Sequence, residues 1–184
     1  MKTLWRLLAA IFVAVATDAT APATAAETVI PLPAASTRLA IRAARMIDGR
    51  SERLHGDAVV IVEGERIVAV GGNELLTPGL ETLDLGDATL MPGLVDAHSH
   101  PLITVDDYQT DHLKHSSAYK ALRGLKAVQD NLRAGWTTLR IAGDADVAYA
   151  VTDLRKAIDG GLFLGPRLSG AAHYLSTTGG GGDI

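Results

Sequence analysis

The chain has 184 residues, 47% hydrophobic and 21% charged, and 17 Lys and Arg against 21 Asp and Glu leave a formal net charge of −4. That is the composition of a globular protein long enough for one ordinary core, and with no basic run it gives no sign of a nucleic-acid partner. The lack of cysteine excludes disulfides, a thiolate metal site and a Cys nucleophile.

The first residues have the layout of a secretory signal. Lys2 and Arg6 supply a positive start, Leu7 to Ala16 is an apolar run, and Ala23-Thr24-Ala25 is a small-x-small cleavage site. The run falls short of the roughly 20 apolar residues that a spanning helix needs. An uncleaved N-terminal anchor is the alternative reading. Residues 1–25 are therefore expected to be a signal peptide, and 26–37 an extended leader containing Pro31 and Pro33. The product is expected to be exported, to a periplasm or beyond the cell.

Residues 38–92 read as β structure. Leu39 to Ala43 is a first strand, and Met46-Ile47-Asp48-Gly49 suggests a turn. Val59 to Val62, then Glu63-Gly64-Glu65, then Arg66 to Gly72 reads as a hairpin, two β-branched runs around a Gly-containing turn. Leu83 to Leu85 and Thr89 to Met91 are further short strands. The pattern predicts part of a small β-sandwich.

After Pro92 the texture changes. Pro92-Gly93 marks a turn into the strand Leu94-Val95-Asp96-Ala97, which runs into His98-Ser99-His100. Side chains alternate along a strand, so Asp96, His98 and His100 are expected on one side. Two imidazoles converging from one strand end can bind one divalent metal; two satisfied surface histidines are the bland alternative. Ser116 or Ser117 can cap a helix with Leu122, Leu125, Val128 and Leu132 on one face, ended by Gly135. Thr137 to Ala142 is a strand. Asp144 or Asp146 can cap a second helix carrying Val147, Val151, Leu154 and Ile158 on one face, and Gly160-Gly161 ends it. Arg167 to Ala171 is a third strand. Strands alternating with helices argue for parallel pairing through helical crossovers. A nucleotide-binding α/β fold shares that alternation, but no G-x-G-x-x-G follows a strand.

The segment Met91-Pro92-Gly93-Leu94-Val95-Asp96-Ala97-His98-Ser99-His100 resembles the first barrel strand of the amidohydrolase superfamily, the metal-dependent hydrolases. Gly64-Glu65-Arg66-Ile67-Val68-Ala69-Val70-Gly71 is similar to the hairpin of that family's small β-sandwich. Gly135-Trp136-Thr137-Thr138-Leu139-Arg140 is similar to its "G-(V/F)-T-T-(V/L)-R" strand. Gly165-Pro166-Arg167 and Leu175-Ser176-Thr177-Thr178-Gly179-Gly180 look like the branch holding imidazolonepropionase-like proteins and Xaa-Pro dipeptidases. The resemblance implies an α/β protein: the N-terminal half of a β-sandwich over 38–92, then the first βα units of an incomplete (β/α)8 TIM barrel over 93–184. It implies that His98 and His100 are metal ligands, most often for zinc, and that the reaction is hydrolysis of an amide, a cyclic amide or an Xaa-Pro dipeptide. Such a metal lowers the pKa of a water to about 7 and polarises the scissile carbonyl.

The family also uses a carboxylated Lys, two later His and a late Asp, which match nothing here, so most of the catalytic set is expected beyond Ile184. Ile141 follows Arg140 where the family often has Asp, and Gly181 stands where the branch commonly has His. These changes remove a polar group near the metal face and a substrate-pocket group.

Other residues have two readings each. His112 and His115, among Asp106, Asp107 and Asp111, can share a helix face and bind metal, but a solvated loop is favoured. His173 can face the site, but a lone His is more often structural. Asp96 is expected to support packing or the histidines rather than transfer a proton. Arg140 can pair with a barrel carboxylate or serve a structural ion pair. Gly179 to Gly182 is no phosphate loop, since no Lys-Ser/Thr follows; it reads like a chain cut inside a loop.

Three strands of an eight-stranded barrel leave both edges unpaired and open to self-association. Two ligands hold a metal weakly. The chain alone is thus expected to be marginally stable and inactive. It is read as the N-terminal portion of an exported hydrolase, or alternatively as a non-catalytic exported domain that binds metal or a partner.

Overall fold

The computed structural model describes residues 11–14 and 38–183. Apart from Ile11–Ala14, the expected signal peptide and the leader lie outside the described residues. The protein is mixed α/β. Its chain divides into two compact units, Met1–Pro92 and Gly93–Ile184.

The first unit holds one six-stranded sheet: β1 (Ile11–Ala14), β2 (Arg38–Ile47), β3 (Leu54–Glu63), β4 (Arg66–Gly71), β5 (Glu81–Asp84) and β6 (Thr89–Pro92). The order is β1-β6-β2-β3-β4, with β5 also on β2. The expected hairpin is β3–β4, closed where Glu63 faces Arg66. Gly64 takes a φ of +58° in its turn, open to glycine without Cβ strain. β2 runs parallel to β5 and to β6 on the edge away from β3. Met46 and Ile47, read as a turn, belong to β2, because pairing continues to Ile47 opposite Leu54. The turn begins at Asp48, whose carboxylate accepts the N–H groups of Ser51 and Arg50 at 2.9 Å; these bonds hold it at a pKa of about 2.

Ala58 to Val62 of β3 are all buried, as an uninterrupted apolar run requires when both sheet faces are covered. Alternation sends Ala58, Val60 and Val62 to a core with Leu39, Ile41 and Leu90. Val59 and Ile61 go with Ala40 to the other face, beneath Leu75, Leu76 and Leu80.

The second unit contains β7 (Leu94–Ser99), α1 (Tyr108–Lys114), α2 (Ser117–Arg133), β8 (Trp136–Ala142), α3 (Ala150–Asp159) and β9 (Arg167–Ala171). The strands form a parallel sheet in the order β7-β8-β9. Leu139 and Ile141 of β8 and Leu168 of β9 form a core with Val128, Val151 and Leu154 from the helices. The opposite face is open: Val95 is 63% exposed, and Arg140 is exposed.

Ser116 caps α2, its hydroxyl accepting the Tyr119 N–H at 3.2 Å. The helix ends at Ala134, and Gly135 follows with a φ of +97°. The buried face differs from expectation. It is Lys120, Gly124, Val128 and Leu132, while Leu122 is 66% exposed. The register is set by Gly124: a Cβ there would stand 2.7 Å from Leu102 Cδ2, so the helix approaches Leu102 through its glycine. The helix α3 starts later than expected, at Ala150, and Val147 stays outside it and exposed. Asp146 nonetheless serves its start by accepting the Ala148 and Ala150 N–H groups at 3.1 Å.

Candidate metal centre

In a parallel sheet the carboxyl ends of all strands lie together, and that end is where such sheets place their ligands. His98 lies at the end of β7 and His100 just beyond it, Gly143 and Asp144 follow β8, and Tyr174 follows β9. The His98 and His100 Nε2 atoms stand 3.0 Å apart, with ring planes at 71°. Two nitrogens each about 2.0–2.1 Å from one tetrahedral ion sit roughly 3.3 Å apart, so the pair fits two ligands of a single divalent metal.

The outer nitrogen of His100 is fixed. Its Nδ1 lies 2.6 Å from the Gly143 carbonyl. A carbonyl only accepts, so Nδ1 carries the proton and Nε2 presents its lone pair. The Tyr174 hydroxyl lies 3.0 Å from the same nitrogen. Gly143 has a φ of +100°, and a Cβ there would stand 2.4 Å from the Tyr174 ring. Only glycine brings this carbonyl to His100 beneath that ring.

Asp96 does not continue the alternation to the histidines. The β7–β8 register shifts between Asp96 and Ser99, and bulges of this kind re-aim side chains beside sites. The Asp96 carboxylate instead accepts the His98 N–H at 3.0 Å, a supporting role as expected.

Behind the histidines lie buried carboxylates. Asp144 is 1% exposed. Its two oxygens accept the Leu102 N–H at 3.1 and 2.9 Å, and one accepts the Ala145 N–H at 2.9 Å. Burial outweighs these bonds and pushes its pKa up to about 6. Asp146 pairs with Lys120 at 2.6 Å, and its hydrogen bonds, that to Lys120 foremost, bring its pKa below the ordinary value against the pull of burial. A cavity of about 230 Å³ is lined by Asp144, Asp146, His173 and Tyr174 among others.

The remaining candidates do not join the pair. The segment around His112 and His115, favoured as a solvated loop, forms helix α1 up to Lys114. The reason is Asp111, which is buried and pairs with Arg123 of α2. The His115 ring packs on Tyr119 at 4.6 Å, and the His112 side chain lies outside what is described. His173 donates from Nε2 to the Ala148 carbonyl at 2.5 Å, a structural tie between two loops. Arg140 donates to the Ala97 carbonyl at 3.4 Å rather than to a carboxylate. Ile141, in place of a polar residue, is part of the helix-side core. Among the described residues no three His, Asp or Glu gather into a metal cluster; the described donor set is the histidine pair.

Sequence reasoning missed Tyr174 and Lys120 and saw Asp144 and Asp146 only as helix caps. One signal was available: Lys120 stands four and eight residues before the buried Gly124 and Val128, on the stripe that packs inward.

The amidohydrolase family model matches residues 89–183, just over half of the chain. Ochratoxinase of Aspergillus niger is 33% identical over 166 residues, covering 84% of this chain and 33% of its own length. Imidazolonepropionase of Fusobacterium nucleatum is 38% identical over 53 residues, 27% of this chain and 13% of that one. Among solved structures, a Xaa-Pro dipeptidase with bound methionine in the active site superposes with a TM-score of 0.70 at 26% identity, over 80% of this chain and 36% of that one. The chain thus spans about a third of the length of the ochratoxinase it matches. By its matched segment and its relatives, the chain belongs to the amidohydrolase family.

Proposed function

We propose that this chain is the N-terminal, metal-binding portion of an exported hydrolase that cleaves C–N bonds in small amides, cyclic amides or Xaa-Pro dipeptides. In this reading the six-stranded sheet is the first part of a small β-sandwich, and β7, β8 and β9 open a (β/α)8 barrel. His98 and His100 hold a divalent ion, zinc by preference. The observation that carries the reading is the 3.0 Å approach of their Nε2 atoms, with the His100 tautomer set by the Gly143 carbonyl. When bound, the ion supplies a Lewis acid and an activated water. The chain's own groups do the positioning. Gly143 keeps the proton on Nδ1 of His100, Asp96 holds the His98 backbone, and Tyr174 covers the His100 ring.

The 184 residues by themselves bind metal weakly through two imidazoles and turn over no substrate. A second reading is a non-catalytic exported domain that binds metal or pairs through the edges of β7 and β9. It is favoured by the two-histidine donor set among the described residues. The deciding experiment is a Co(II) titration of the chain and of His98→Ala and His100→Ala, beside hydrolysis of Xaa-Pro dipeptides. Loss of binding in either variant supports the metal centre, and binding that survives both overturns it. Metal-dependent turnover by the 184 residues alone overturns the proposal that they are inactive.

A further inference from the structure

We propose that Lys120 is a positioning residue for His100: its buried ion pair with Asp146 fixes the loop whose Gly143 carbonyl aims the imidazole. Its effect on metal rests on the metal-centre reading above; its effect on the His100 ring does not.

Lys120 is 1% exposed on α2. A buried ammonium costs several kcal/mol unless acceptors surround it. Here its Nζ lies 2.6 Å from Asp146 Oδ1 and 3.0 Å from the Ala145 carbonyl. The same Oδ1 accepts the Ser117 hydroxyl at 2.7 Å. The other oxygen accepts the Ala148 and Ala150 N–H groups. One carboxylate therefore ties α2 to the β8–α3 loop and to the start of α3.

That loop is held by polar anchors on both sides: the Asp144 carboxylate accepts the Leu102 and Ala145 N–H groups, His173 donates to the Ala148 carbonyl, and Lys120 with Ser117 anchors it to α2 through Asp146. Val147 and Tyr149 are exposed, and Ala145 and Ala148 offer only methyl groups. Its polar anchors decide its position. The Asp146 N–H donates to the Asp144 carbonyl at 2.9 Å, and the Asp144 N–H to the Ala172 carbonyl at 3.1 Å. Three residues before Asp146, the Gly143 carbonyl meets His100 Nδ1 at 2.6 Å. A shift of the loop relaxes that bond and frees the ring to turn or to move its proton to Nε2, which removes the metal-binding lone pair.

A merely structural ion pair has a different signature. Replacing both members of a buried pair by neutral groups of similar volume is often nearly neutral for stability, so stability and positioning can be separated. The test is Lys120→Met combined with Asp146→Asn in the full-length protein. Three readouts are followed: thermal unfolding, Co(II) affinity, and the His100 tautomer by ¹⁵N NMR of metal-free protein. The double variant is expected to unfold cooperatively, to bind Co(II) about 10-fold more weakly or worse, and to show Nε2–H tautomer at His100. Leu132→Ala, about 18 Å further along α2, is expected to lower stability and leave the other two readouts unchanged. Unchanged affinity and tautomer in the folded double variant overturn the proposal, as does an equal loss in Leu132→Ala. If the double variant does not fold, Ser117→Ala takes its place. It removes one donor to Asp146 without stranding a charge and is expected to move the tautomer the same way; no movement overturns the proposal. If the unaltered protein binds no Co(II), the metal centre fails, and the tautomer alone decides the role of Lys120.

Discussion

Asp144 is expected to make the stability of the second unit fall as pH rises. Its side chain is buried against three backbone N–H contacts, and its pKa stands at about 6 against an ordinary 3.8. The folded state thus holds this proton more tightly than the unfolded chain does. The stabilisation is fully present below the unfolded value and is lost as pH rises through about 6. Two pKa units correspond to about 3 kcal/mol in total. Of this, about 2 kcal/mol falls between pH 4.5 and 7.5. The assay is urea unfolding across that window for the protein and for Asp144→Asn, which cannot ionise. Asn places an amide against the Leu102 N–H and costs stability at every pH, so the slope and not the offset carries the test. The difference between the two proteins should narrow by about 2 kcal/mol toward pH 7.5. A difference that is flat across the window, or that widens with pH, refutes the reasoning. Carboxyl NMR of Asp144 provides an independent reading of the midpoint.

Two further changes probe the frame around the site. At Gly170, φ is +99° and a Cβ would stand 2.1 Å from the Ile141 carbonyl oxygen, so Gly170→Ala should separate β9 from β8 at a cost of at least about 3 kcal/mol. A urea midpoint equal to that of the unaltered protein would sink this account. Ser116→Ala removes the cap of α2 and should cost about 1 kcal/mol with Co(II) affinity unchanged; a lost metal site would show that the cap does more than start the helix.

The strands were legible where apolar alternation and turn residues agreed. Arg167–Ala171 has the bounds expected for it, and the β3–β4 hairpin turns at Gly64 and Glu65. The histidine pair was legible because two residues on one strand end need no long-range contact to be brought together. Other features depended on tertiary partners. Leu122 fits the apolar period of α2, but the helix is rotated to bring Gly124 against Leu102. Period counts methyl groups and cannot see the value of a missing side chain. Lys120 reads as surface in any hydropathy pattern, and only Asp146, from another segment, makes it an interior residue. Asp111 likewise looked like one charge in an acidic run until Arg123 buried it and turned that run into a helix.

The features missed beside the histidines share a location and a cause. Lys120, Asp144, Asp146 and Tyr174 all lie around the loop after β8 and the loop after β9. The helix-side core holds the strands and reaches the loops beyond their carboxyl ends only at points such as Leu102 and Ala172. There the backbone is irregular and its N–H groups find no ladder partners, so carboxylates accept them instead. Asp144 takes the N–H groups of Leu102 and Ala145, and Asp146 those of Ala148 and Ala150. A carboxylate buried for that purpose needs charge compensation. Asp146 obtains it from Lys120 and stays low in pKa, whereas Asp144 has no cation at contact distance among the described residues and rises to about 6. The two neighbouring carboxylates therefore differ in charge at mildly acid pH, below about 6, because α2 places its lysine beside Asp146 and not beside Asp144. Lys120 stabilises the anion that holds the loop, and the loop presents to His100 a neutral carbonyl that fixes its proton.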